Sequence, residues 1–246
     1  MSIGKHSLEP FFQMQNAAVP PPHVISCLPI HSLGVATVNV STLKGRSGEI
    51  VEMLEWRRVD VCCFQEVRWQ ESSAKFLTGK RHRYKLFWEG NGDGEEGLGI
   101  LLAEKWVNKV TKVDGVCDRV HKLRLVLQSC TATIISAYAP HPGLLNKQKD
   151  PFYDILLQAT SKMNYSDLIF VVGDFNRHVG QHPGVFHGVH RSHGIGSRNE
   201  EGTRLLEFCY ANDLMICNTN FRKPASHKPG DYISQVNYIL TRKSNP

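Results

Sequence analysis

From His31 onward the chain sets short, dense apolar runs between polar stretches; the thirty residues before it show no such pattern. Runs rich in β-branched residues occupy Val35 to Val40, Val59 to Phe64, Leu98 to Leu102, Leu123 to Leu127, Ala132 to Ala137, Leu168 to Val172 and Val236 to Leu240. These runs are short and largely apolar on both faces, and this is the pattern of a buried strand. Helices fit between the strands. Ser47 is the expected cap of one, with Glu49 near its start and Ile50, Val51 and Leu54 on its apolar face. Asp150-Pro151 opens a second, which groups Phe152, Ile155, Leu156, Ala159 and Met163. Asn199-Glu200-Glu201 opens a third, burying Leu205, Leu206 and Cys209. Buried strands mixed with a few helices predict an α/β layered domain. Residues 1–30, which include Val19-Pro20-Pro21-Pro22, are expected to be a flexible tail, because consecutive prolines suit neither a helix nor a central strand.

Composition narrows the class. The 246 residues are 41% hydrophobic and 21% charged, enough for one domain with a substantial core. No apolar run approaches the roughly 20 residues that cross a bilayer, and Met1 to His6 has no leader-like stretch, so an intracellular chain is expected. The seven cysteines include adjacent Cys62 and Cys63 in an apolar run and no C-x-x-C pair, which favours reduced, mostly buried thiols over a zinc or redox centre. A net charge of +6 is compatible with a polyanionic partner without establishing one. The basic cluster Lys80 to Lys85 suits a solvated turn as well as a phosphate patch. Gly90 to Gly99 lacks Gly-Lys-Ser/Thr and is expected to be a hairpin loop. His178, His182, His187, His190 and His193 lack zinc-site spacing and are expected to form a polar surface loop.

The candidate chemistry sits where the runs end. Val35 to Val38 leads into Asn39, Val61 to Phe64 into Gln65-Glu66, Ile134 to Ala137 into Tyr138, and Leu168 to Val172 into Gly173-Asp174-Phe175-Asn176. Singly, such residues are helix caps, turn formers or ion-pair partners. Together, two carboxylates, two amides and a phenol at successive strand ends form the donor set for a hard metal ion and a phosphate.

Asn39, Gln65-Glu66, Tyr138-Ala139-Pro140, Gly173-Asp174-Phe175-Asn176 and Ser234-Gln235-Val236-Asn237-Tyr238 resemble, in order, the motifs of the endonuclease/exonuclease/phosphatase superfamily. Within it, the resemblance is strongest to the endonuclease domains of RTE-type LINE retrotransposons and to craniofacial development protein 2-like proteins. It implies a two-sheet α/β sandwich flanked by helices, with the site at one end of the sheets. It also implies that Glu66, helped by Asn39, holds Mg²⁺ or Mn²⁺, that Asp174 activates a water, that Asn176 holds that water or a phosphate oxygen, and that Tyr138 contacts the phosphate. Arg68 and Arg177 are expected to bind substrate. The implied reaction nicks DNA to leave a 3′-hydroxyl, in the nucleus if the chain is functional.

Two departures qualify the expectation. Asn237 stands where the family carries an Asp that orients a histidine near the domain's C-terminus, and no histidine follows Asn237. The segment Phe221 to Ile233 is also short, so residues 31–246 are expected to lack a last strand with its histidine. A nuclease of impaired activity, a non-catalytic DNA-binding or interaction remnant, and a phosphatase on a small phosphoester all stay open.

Overall fold

A computed structural model describes residues 25–26, 32–90, 92–128, 130–161, 163–164, 166–222 and 235–243. The polyproline stretch and most of the 221–233 segment lie outside the described residues. Just before the domain, β1 (Ile25–Ser26) pairs antiparallel with β2 (Ser32–Leu33).

Two mixed sheets form the body. The first takes β3 (Val35–Asn39), β4 (Val61–Gln65), β5 (Ser73–Thr78), β6 (Arg83–Glu89) and β7 (Leu98–Ala103), in the spatial order β3-β4-β7-β6-β5. The second takes β8 (Val110–Cys117), β9 (Val120–Val126), β10 (Thr131–Tyr138), β11 (Leu168–Asp174), β12 (Leu214–Ile216) and β13 (Asn237–Arg242), in the order β12-β13-β11-β10-β9-β8. Helices α1 (Ser47–Trp56), α2 (Glu104–Val107), α3 (Asn146–Ser161) and α4 (Glu200–Ala211) flank them. The predicted two-sheet α/β sandwich is the observed one. β13 is an interior strand, paired on one side with β11 and on the other with β12.

The apolar runs divide by parity. On β11, Leu168, Phe170 and Val172 enter the core between the sheets, while Ile169 and Val171 enter a second core beneath α3 and α4. β10 divides in the same way, Ala132 and Ile134 inward and Ile135 and Ala137 outward. A strand between two cores needs apolar residues at every position, which is why these runs stand out in the sequence.

All seven predicted strands are present. β5, β6 and β8 went unpredicted because they lie towards the sheet edges: β5 is exposed at every position except Leu77, and β8 has no fully buried residue; β12, Leu-Met-Ile, is apolar but only three residues long. Edge strands carry polar residues on one side and give no continuous run.

Two helix starts differ from expectation. Ser47 is the first helical residue, and Arg46 occupies the cap position with no side-chain cap bond. α3 begins at Asn146, with Pro151 inside it. Pro151 is the sixth residue of the helix, past the first turn, so the helix forgoes one i→i−4 bond there, to the Lys147 carbonyl, and continues. Asn199 does cap α4, its side-chain oxygen accepting the Gly202 amide at 2.7 Å.

Gly173 fixes the spacing where the central strands end. It pairs with Ala137 on β10, and a Cβ there would overlap the Ala137 carbonyl oxygen. Gly173→Ala is expected to push β10 and β11 apart next to Tyr138 and Asp174 and to cost at least about 1–3 kcal/mol, as overpacking does. Urea unfolding checks this; an unchanged midpoint would contradict it.

Candidate functional site

Parity also builds the site. Asp174 continues the inward series Leu168, Phe170, Val172, and Tyr138 continues Ala132, Ile134, Ser136. Asn237 lies in register opposite Asp174 on β13, and Asn39 opposite Gln65 on β4. The inward faces of both sheets therefore deliver their last polar residues to one end of the sandwich.

There Asn39 joins the two sheets. Its Nδ2 donates to Glu66 Oε1 at 2.8 Å and to Asp174 Oδ2 at 3.2 Å. The Tyr138 hydroxyl donates to the same Glu66 oxygen at 3.1 Å, and the Arg68 guanidinium reaches the other, Oε2, at 2.8 Å. Asp174 Oδ1 accepts the Asn176 backbone amide at 2.9 Å, and Asn176 Nδ2 donates to the Ala139 carbonyl at 2.8 Å.

The backbone here is held in unfavourable conformations. Ser41, Glu66, Arg68 and Asn176 all have positive φ, between 50° and 58°. Each non-glycine residue in that region costs about 1–3 kcal/mol, and such strain gathers at functional sites. Neighbouring loops hold it: Val67 donates to Gly97 O at 3.2 Å, Arg68 to Glu96 O at 2.8 Å and Ala139 to Asp174 O at 2.9 Å.

The two carboxylates differ in electrostatics. Partial burial pushes Glu66 up, but hydrogen bonds from Asn39, Arg68 and Tyr138 outweigh it and leave its carboxyl below the usual value. Asp174 is only 5% exposed, and burial raises its carboxyl above the usual range despite the donors Asn176 and Asn39; the charge of Glu66 adds to the rise and His141 opposes it. Burial and the adjacent Glu66 also keep the Tyr138 phenol well up and protonated.

Of the expected site residues, Asn39, Glu66, Arg68, Tyr138, Asp174 and Asn176 come together. Asn237 lies beside Asp174, its Oδ1 buried without a hydrogen-bond partner among the described residues. Arg177 is not brought to the cleft. Its side chain is fully buried, NH1 donating to the Pro140 and Asn176 carbonyls at 3.1 and 3.2 Å, with Nε 3.4 Å from Glu201 Oε2. A guanidinium so placed braces the loops and offers no face to a substrate, which corrects the expectation of direct contact. The five-histidine stretch is not wholly a surface loop either: His190 is 1% exposed and its Nε2 hydrogen-bonds the Gly180 carbonyl at 2.9 Å.

Sequence reasoning missed three residues. A cleft of about 350 Å³ beside the cluster is lined by Glu66, Arg68, Glu95, Glu96, Tyr138 and His141. Arg119 pairs with Glu96 at 2.8 Å and lies 5.3 Å from the Tyr138 ring centroid. His141 was legible in principle, because it directly follows Tyr138-Ala139-Pro140. Glu96 and Arg119 lie in loops whose pairing leaves no local trace.

Could a divalent cation sit here? Among the described residues no three His, Cys, Asp or Glu side chains gather as an all-protein cage. Mg²⁺ needs none: it keeps several waters and takes one or two carboxylates with further oxygen donors. Glu66 and Asp174, linked through the Asn39 amide, fit that requirement.

Fold and cluster together define a two-sheet α/β sandwich with a carboxylate–amide site at its strand ends. The model of the endonuclease/exonuclease/phosphatase family matches residues 36–243, and the chain belongs to that family. It is 27% identical over 219 residues to craniofacial development protein 2 of Bos taurus, a match covering 85% of this chain and 36% of that protein. The same-named protein of Tragulus javanicus is 26% identical over 219 residues, covering 85% and 37%. The chain thus spans little more than a third of these curated relatives. Among solved structures it is similar to the endonuclease domain of TRAS1, a telomere-specific non-LTR retrotransposon, with a TM-score of 0.57, 14% identity and coverage of 85% and 84%. It is also similar to an AP endonuclease from Archaeoglobus fulgidus, with a TM-score of 0.58, 15% identity and coverage of 84% and 85%. At such identity these structures show the fold alone.

The raised Asp174 carboxyl makes a prediction about pH. A folded carboxyl above its unfolded value binds the proton more tightly in the native state. Its stability cost is therefore absent below the unfolded value and complete above the folded one. Asp174→Asn removes that titration, so the variant's stability relative to the parent should rise as pH goes from about 3 to neutrality, around the reference carboxylate value of about 3.9. Urea unfolding of both proteins across that range in metal-free buffer measures it. A flat or falling difference would contradict the burial argument.

Proposed function

We propose that this chain is a divalent-metal-dependent phosphodiesterase acting on DNA, of retrotransposon endonuclease origin, that leaves a 3′-hydroxyl and acts in the nucleus. The observation that carries the reading is the single amide of Asn39 tying together Glu66 and Asp174 at the mouth of the two sheets, with Tyr138 and Arg68 on the same carboxylate.

Glu66 and Asn39 would hold Mg²⁺ or Mn²⁺. When bound, such an ion polarises the phosphoryl oxygen and offsets charge on the departing oxygen. Arg68 is half exposed and its pair with Glu66 is weakly held, so it can turn from Oε2 to a phosphate at small cost. The high proton affinity of Asp174 suits it to take a proton from an attacking water. Asn176 gives one Nδ2 hydrogen to Ala139 and keeps the second for that water or a phosphate oxygen. Tyr138, protonated, can donate to the phosphate. The net charge of +6 favours a polyanion, and the similar structures, a retrotransposon endonuclease domain and an AP endonuclease, support DNA.

One observation favours a second reading, that of an impaired or non-catalytic nucleic-acid-binding module. Asn237 stands beside Asp174 with a buried Oδ1 that has no partner among the described residues, where a carboxylate would serve to orient an imidazole.

Nicking of supercoiled plasmid with Mg²⁺ tests both. The parent is expected to nick, and Glu66→Gln and Asp174→Asn to lose about 10²-fold or more in single-turnover rate. Salt-dependent DNA binding without nicking would favour the second reading. Absence of both would reject DNA as the substrate.

A further inference from the structure

His141 is a surface residue in a place that keeps it still. It lies between Pro140 and Pro142. The ring of the first fixes that residue's φ, and the second restricts His141 itself to extended backbone. The carbonyls on either side are then held by buried cations: Arg177 NH1 donates to Pro140 O at 3.1 Å, and Lys149 Nζ to Pro142 O at 3.0 Å. Both cations pair with the same carboxylate, Glu201 of α4. Arg177 and Lys149 are 0% and 4% exposed, so this brace is sealed from water. A buried ion network of this kind is costly to build, and besides bracing the Asn176 turn it fixes the peptide groups on both sides of one exposed imidazole.

That imidazole lines the cleft with Glu66, Arg68 and Tyr138, its ring centroid 6.4 Å from that of Tyr138 at an interplanar angle of 81°. A neutral or charged imidazole carries an N–H donor suited to a phosphate oxygen. We propose that His141 contacts the substrate, donating an N–H to a non-bridging oxygen of the phosphodiester, with Lys149, Arg177 and Glu201 as the positioning residues that hold it there. This rests on the phosphodiesterase reading above and adds to it a substrate-contacting residue.

The test uses the full chain and two readouts. In plasmid nicking with Mg²⁺, His141→Ala is expected to lose about 10- to 100-fold in kcat/KM, the range for a hydrogen bond to a charged group. His141→Gln, which keeps an N–H donor of similar reach, should recover most of that loss. His187→Ala, at an exposed position outside the cleft, should match the parent. Since His141 is exposed, none of these changes should move Tm. Separately, in protein labelled with ¹³C at histidine, adding a short DNA duplex without metal should shift the His141 ring resonance, assigned by its loss in His141→Ala. If the parent nicks and His141→Ala stays within about twofold of it, the contact is wrong and the phosphodiesterase reading stands. A parent that does not nick but shows the His141 shift would leave the contact standing and remove the activity. With neither nicking nor shift, both are overturned.

Discussion

Two carboxylates from different sheets share one amide, and the rest of the site depends on that. Glu66 leaves the first sheet and Asp174 the second, and Nδ2 of Asn39 donates to both. Without a common donor the two charges would repel across a closing gap, one of them almost fully buried. With it, the polar ends of two apolar sheets can meet. The arrangement needs the strands in register, because a slip of one residue would turn Asp174 or Tyr138 away from the inter-sheet face. Gly173 and the parallel pairing of β10 with β11 keep that register.

Stability is given up locally to keep this constellation. Asp174 is buried with its carboxyl raised, and Glu66, Arg68 and Asn176 are held in left-handed backbone. Such features persist only where the surroundings over-determine them. Here the surroundings are two apolar cores, one between the sheets and one beneath α3 and α4, together with the Lys149–Glu201–Arg177 network. Arg177 shows how one residue can matter to a site without touching substrate: it holds the carbonyls of two site loops at once.

The central strands were legible in the sequence because they are covered on both faces, and a doubly buried strand cannot conceal its apolar run. The edge strands β5 and β8 were not, since half-exposed strands read as ordinary polar sequence, and β12 is apolar but only three residues long. The site was legible as far as it lies at ends of buried runs: Asn39 and Tyr138 follow one directly, and Glu66, Asp174 and Asn176 come within four residues of one. Arg177 misled because its place beside Asn176 suggests proximity to substrate, whereas the turn carries its side chain inward. Glu96 and Arg119 come together only through tertiary pairing, and the start of α3 was missed because a proline normally marks a helix's first turn, whereas this helix runs through Pro151 at its sixth residue.

The most direct measurement is Mn²⁺ binding by electron paramagnetic resonance, comparing the parent chain with Asn39→Ala and Glu66→Gln. Metal binding at the shared carboxylate site predicts a stoichiometric Mn²⁺ site in the parent that weakens at least about tenfold in Asn39→Ala, through loss of the amide that positions Glu66 and Asp174, and is lost in Glu66→Gln. Equal Mn²⁺ affinity in all three proteins would contradict the assignment of this cluster as the metal site.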